Sequence, residues 1–166
     1  MTAQPQAPEP VAAYPRPPAL VASTEHVRVE ALGQLLVDTR RSLRVLETFH
    51  PPTYYLPPEA LRLELLQPAP GRSFCEWKGV ARYFDVVLDP GGAGERRLSR
   101  AVWTYPDPTP AFAPLAGWYA LYPALMDGCW IDDERVIPQP GGFYGGWITS
   151  RVQGPFKGDP LHPELV

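Results

Sequence analysis

Two lysines stand against thirteen arginines in this chain, so each lysine asks for a reason. Both sit in the same setting, Trp77-Lys78-Gly79 and Phe156-Lys157-Gly158. An aromatic, an ammonium and a glycine in succession suit an anion or carbonyl site. Lysine supplies a compact positive charge, and glycine lets a ligand approach the backbone. The competing reading is that arginine is favoured by genome composition and both lysines are surface charges. The tryptophans are as unevenly placed: Trp77, Trp103, Trp118, Trp130 and Trp147 all fall between positions 77 and 147. With Tyr83, Tyr105, Tyr119 and Tyr122 they would line a pocket for a flat or cationic ligand, unless the same rings form the core. Thr104 and Asp107 would orient a ligand beside Trp103 and Tyr105.

Cys75, three residues before Lys78, is a candidate reactive thiol, because a nearby ammonium favours the thiolate. On an unbroken strand positions 75 and 78 face opposite ways, so the two would meet only at a kink near Gly79; a small buried hydrophobe is the alternative role. His50 lies between Phe49 and Pro51 with no triad partner assignable from spacing. The chain has no Cys-x-x-Cys and no paired histidines, and Asp132-Asp133-Glu134 fits a hairpin turn better than a calcium loop, so no metal is expected. Gly91-Gly92-Ala93-Gly94 lacks the Lys and Ser or Thr that complete a phosphate-cradling loop. No cofactor is implied.

The elements that must position these residues are short. Twenty-three prolines and fourteen glycines in 166 residues break long helices, while 45% hydrophobic and 11% aromatic content is too high for a disordered polymer. Val27, Val29 and Ala31 alternate with charges, Leu32-Gly33 turns, and Leu35–Asp38 returns as a hairpin. Further strands are predicted around Leu43–Val45, at Tyr54-Tyr55-Leu56, at Leu61–Leu65, from Phe74 to Leu88 with a bulge or close backbone approach at Gly79, at Arg100–Thr104 and at Trp118–Tyr122. A last hairpin runs through Cys129–Ile137. A weak helical turn is expected over Ala111–Ala116. Residues 1–22, with six prolines, form an extended or disordered arm; residues 23–137 form the β domain; residues 138–166 form a Gly/Pro-rich extension packed on it.

Net charge is −3, with nine basic and eight acidic residues in positions 1–83 and six against ten in 84–166. Neither half offers a phosphate-tracking face, so nucleic acid is not an expected partner. Arg40-Arg41, with Arg44 beyond, reads as solvated edge charge. No apolar run approaches the length that spans a bilayer, and the N-terminus has no signal-peptide pattern, so a cytoplasmic protein with reduced thiols and no membrane partner is expected.

Three motifs carry a family resemblance: Cys75-x-Trp77-Lys78-Gly79-x-Ala81-x-Tyr83, Ala101-x-Trp103-x-Tyr105-x-Asp107-Pro108, and Leu115-Ala116-Gly117-x-x-Ala120-Leu121-Tyr122. With Asp38-Thr39, Leu46-Glu47-Thr48 and Pro52-x-Tyr54-Tyr55-Leu56-Pro57 upstream, and the Pro138–Ser150 and Gly154–Gly158 segments downstream, the chain resembles the DUF427 family over residues 25–160. Glu76 stands where the family more commonly has proline. The resemblance implies a mainly β fold: a compact antiparallel two-sheet β-tent or barrel-like domain with few short helices. It implies no activity. A nucleotidyltransferase-like label travels with the family, but such chemistry usually needs metal-binding carboxylates two apart on a strand, and Asp132-Asp133 are adjacent.

These readings converge on a domain that binds a small polar or flat ligand in an aromatic-lined pocket. Trp77, Tyr83, Trp103 and Tyr105 are the expected walls, and Lys78, Glu47 and Tyr55 the polar contacts. The alternatives are an enzyme using Cys75 or Lys78 as nucleophile or acid–base group, and a protein-interaction module using the prolines of the arm and tail. Self-association into a homodimer is left open.

Overall fold

The computed structural model describes residues 7–165, so the first six residues of the expected arm lie outside the described residues. Proline and glycine cut this stretch into short extended pieces. In chain order they are β1 (Glu9–Pro10), β2 (Ala19–Ser23), β3 (Val27–Ala31), β4 (Gln34–Thr39), β5 (Ser42–Leu46), β6 (Thr53–Tyr55), β7 (Leu66–Cys75), β8 (Gly79–Leu88), β9 (Arg96–Thr104), β10 (Tyr119–Leu121), β11 (Gly128–Ile131), β12 (Glu134–Arg135), β13 (Ile137–Pro138), β14 (Trp147–Ile148) and β15 (Val152–Gln153). The helical segments among them are 3-10 turns, the longest over Pro110–Leu115. No helix of the described residues is long and apolar enough to cross a membrane.

The fold is mainly β, with several antiparallel sheets and no closed barrel. The sheet β12-β11-β3-β4 faces a second one of order β10-β9-β8-β7, while β2-β5-β6 forms a third. Reciprocal backbone bonds of 2.8 and 2.9 Å between Leu56 and Tyr119 join the third sheet to the second. The result is two principal layers that lean together over Val27, Val29, Leu36, Val37, Val86, Val102 and Leu121, all buried. A second buried cluster, of Val45, Tyr55, Ala81, Trp103, Tyr105, Phe112, Leu115 and Ala120, fills the space between β5–β6 and β8–β10.

The turns follow their residues. Leu32-Gly33 and Asp132-Asp133 hold positive φ at both central positions, as a two-residue hairpin requires. Three local expectations are corrected. The strand expected from Phe74 to Leu88 is a hairpin: β7 stops at Cys75, Glu76-Trp77-Lys78 turn, and β8 starts at Gly79, which pairs with Cys75. Leu61–Leu65 is not a strand but a bridge residue and a 3-10 turn, with Leu61 and Leu65 buried and Leu63 exposed. The strand begins at Leu66 instead and continues through Pro68 and Pro70. Prolines are tolerated there because β7 is an edge strand, whose outer N–H groups have no ladder partner to lose.

Arg44 is the third correction, being buried rather than solvated. Its guanidinium donates to Glu9 Oε1 at 2.7 Å, and Tyr14 Oη donates to the same oxygen at 2.7 Å. Arg151 reaches Glu9 Oε2 at 3.6 Å and Glu25 at 2.6 Å. The second half of the arm and the tail are thereby pinned to β5 and to each other, and β1 pairs with β15 in parallel. Val11, Tyr14, Leu46 and Val152 form a small apolar cluster beneath this clasp.

Candidate functional site

The β7–β8 turn is the first element of the site. Gly79 has φ +106°, a backbone region that side-chain-bearing residues rarely adopt, and a Cβ placed there would lie 3.5 Å from the Asp107 carbonyl oxygen. Thr109 holds the turn: its N–H donates to the Lys78 carbonyl at 3.1 Å and its hydroxyl to the Trp77 carbonyl at 2.6 Å. Lys78 is thus presented from a fixed backbone, with its ammonium 5.7 Å from the Tyr105 ring centre. It lines a pocket of about 200 Å³ together with Glu47, His50, Thr53, Gln139 and Tyr144.

The second element is the Glu47–His50 turn that follows β5, closed by the His50 N–H on the Glu47 carbonyl at 2.9 Å. Phe49 at its corner has φ +65°. A non-glycine residue persists in that region only where its surroundings over-determine it. Here they do: the Phe49 N–H donates to Val11 O at 3.0 Å, and the Lys157 N–H donates to Phe49 O at 2.8 Å. Arm and tail together set the corner that aims Glu47 and His50 into the pocket.

The third element is the β13–β14 loop. Gln139 is buried, and its amide orientation follows from two backbone partners: Oε1 accepts from the Gly146 N–H at 3.2 Å, and Nε2 donates to Lys157 O at 2.9 Å. The same Nε2 lies 3.1 Å from His50 Nδ1, so that ring nitrogen accepts. A neutral His50 then carries its proton on Nε2, the atom 3.6 Å from Glu47 Oε2. Burial lowers the His50 pKa, and the charges of Lys157 and Arg16 add to that; Glu47 and Gln139 oppose it without reversing it. Arg16 Nε lies 3.5 Å from the same Glu47 oxygen.

Behind the pocket is an aromatic layer. Trp103 Nε1 donates to Tyr55 Oη at 3.2 Å, and the rings of Trp103 and Tyr122 are 4.6 Å apart. Tyr55, Trp103 and Tyr105 are only 1%, 8% and 6% exposed, so they form a packed layer rather than an open cage. Burial pushes the Tyr55 and Tyr105 phenols well above the ordinary tyrosine range. The layer meets the pocket at Val45, at the Lys78–Tyr105 contact and at Gly145, where a Cβ would run into the Trp103 ring. Trp77 packs half-buried against this cluster. Tyr83 shares a 2.7 Å hydrogen bond with Ser73 and lies 4.0 Å from the Arg100 guanidinium.

Of the sequence-predicted contacts, Glu47 and Lys78 line the pocket, while Tyr55, Trp77, Tyr83, Trp103 and Tyr105 belong to the layer behind it. Cys75 is a free thiol, half-buried against the layer and not in the pocket lining; Cys129, also free, sits in the main core, where burial pushes its thiol up to about 12. Sequence reasoning missed Gln139 and Tyr144, whose only signal was the glycine-rich run around them, and left His50 without a partner. It did single out Lys157, whose ammonium lies 5.7 Å from the ring centre of Tyr144. Among the described residues no group of three or more His, Cys, Asp or Glu is arranged to hold a metal ion.

A family model described as a domain of unknown function, DUF427, matches residues 19–132. No curated protein matches the chain. The matched span holds Glu47, His50 and Lys78 together with the aromatic layer, and the Gln139, Phe143, Tyr144 and Gly145 that complete the pocket lining lie outside it. The chain therefore belongs to the DUF427 family.

Proposed function

We propose that this protein binds a small polar ligand in the pocket between the β7–β8 turn, the Glu47–His50 turn and the β13–β14 loop. The supporting observation is that Lys78, Glu47, His50 and Tyr144, drawn from three separate segments, converge on one cavity backed by packed aromatic rings. Convergent polar groups in a concave site fix the orientation of a small bound molecule. Trp77 and Trp103 lie close enough to report occupancy, so intrinsic fluorescence and thermal shift against a broad metabolite panel test the reading. At least one compound should raise the melting temperature of the protein and not that of Lys78→Met. A panel that perturbs neither signal would sink it.

Acid–base catalysis is the second reading. The observation favouring it is the Glu47–His50 pair, two titratable groups 3.6 Å apart in a partly buried pocket. The thiol version is less supported, since Cys75 is not among the pocket residues.

A further inference from the structure

We infer that the pocket is built for a small organic acid that also carries a hydroxyl or ammonium group, with its acidic end on Lys78 and its donor on Glu47. The inference rests on the binding reading above and specifies its ligand.

Three features point to that chemistry. Lys78 and Lys157 form no ion pair among the described residues, although seven arginines do, including Arg16, Arg44 and Arg151. Each ammonium instead stands 5.7 Å from a tyrosine ring centre, Tyr105 for Lys78 and Tyr144 for Lys157. A lysine held over an aromatic face without a carboxylate keeps its charge available to an incoming anion. Lys78 lines the pocket, and the positive charges of Lys157 and Arg16 act on His50 within it, so an anion gains from the local field.

The second feature is the state of His50. Gln139 occupies Nδ1, leaving the N–H at Nε2, and 3.6 Å to Glu47 is beyond hydrogen-bond reach. The imidazole therefore offers a donor, and a ligand oxygen near it would receive that N–H as well as the Lys78 charge. Glu47 can only accept, so it asks for a hydroxyl or ammonium on the same molecule. The third feature is size. About 200 Å³ is below the 300–1,000 Å³ typical of drug-sized ligands, which fits a compact metabolite.

Titration calorimetry and ¹H–¹⁵N spectra with lactate, serine, acetate, glycerol and inorganic phosphate test this. Lactate or serine should shift the His50 and Lys78 resonances and bind about tenfold or more tighter than acetate or glycerol, the fold-change that one charge-assisted hydrogen bond is worth. Lys78→Met should abolish binding, Lys78→Arg should restore part of it, and Glu47→Gln should reduce the preference for lactate over acetate. Both Lys78 variants keep the Thr109 contacts, which go to backbone carbonyls, and a dispersed spectrum checks that they fold. Phosphate binding more tightly than any carboxylate would overturn the inference in favour of a free phosphate site. Glycerol binding as well as lactate, unaffected by Lys78→Met, would overturn the anion assignment while leaving a ligand pocket. No response to any of the five would also overturn it, and the broad panel then decides the binding reading separately.

Discussion

The imidazole of His50 can take a second proton only at Nδ1, the atom that already receives an N–H from Gln139. Protonation would add a charge to a largely buried ring that already feels the positive charges of Lys157 and Arg16. The folded pKa accordingly lies below the ordinary histidine value of about 6.5, with burial the largest cause. A histidine depressed in the folded state contributes stability that is complete above that value and is lost as the pH falls through the folded pKa. Thermal unfolding followed between pH 8 and pH 5 should therefore show a steeper acid-side loss for the wild type than for His50→Asn; parallel curves would contradict this. Gln139→Leu at the same site strands His50 Nδ1, the Lys157 carbonyl and the Gly146 N–H. It should cost about 2–4 kcal/mol in urea unfolding, because buried polar groups lose their partners.

The β7–β8 hairpin shows how one element sets a functional side chain and why pattern alone did not reveal it. Cys75 and Gly79 are paired partners four positions apart, so the alternation of inner and outer residues continues in phase across the turn. Phe74 and Val80 stay on the exposed face, while Cys75 and Ala81 pack on the aromatic layer. A period of two cannot distinguish that arrangement from a straight strand, and Glu76 removes the proline that would have marked the turn. Gly79→Ala should cost about 1–3 kcal/mol through its positive φ. Thr109→Val, which deletes the 2.6 Å bond to the Trp77 carbonyl, should cost about 1 kcal/mol. If the turn positions the ammonium, both variants should also weaken ligand binding although neither touches the pocket; a loss of stability with binding intact would deny the turn that role.

For the whole molecule, the Glu9–Arg44–Arg151 clasp ties the arm and tail to the sheet that carries Glu47 and His50. Arg44 has only 2% of its side chain exposed, so removing Glu9 leaves a buried charge uncompensated. Glu9→Ala should cost about 3 kcal/mol, the lower end of what breaking a buried pair does, measured by urea unfolding. Burial alone would raise the Glu9 pKa, but the hydrogen bonds from Arg44 and Tyr14 and the charges of Arg44 and Arg151 outweigh it and hold the carboxyl below its usual range. Its contribution is therefore present at neutral pH and lost as the pH falls through that lowered value. Because Phe49 is gripped by Val11 on one side and Lys157 on the other, Glu9→Ala should also broaden the His50 resonance; an unchanged signal would separate the clasp from the site.

Much was legible in the residues themselves. Alternation located β3 and β5, turn residues located the return strands β4 and the second half of β9, the Leu32-Gly33 and Asp132-Asp133 pairs located their turns, and proline spacing excluded long helices, because these are local steric rules that a sequence carries in full. The rarity of lysine located Lys78, and motif content located the aromatic layer. The sequence could not say which rings would be sealed in a core and which groups would face a cavity. Glu47, His50, Lys78 and Gln139 span more than ninety positions, and their meeting depends on two leaning sheets, a corner at Phe49 held from both sides, and a tail that folds back over it. Those are long-range contacts between groups with no local signature, and only the tertiary structure decides them.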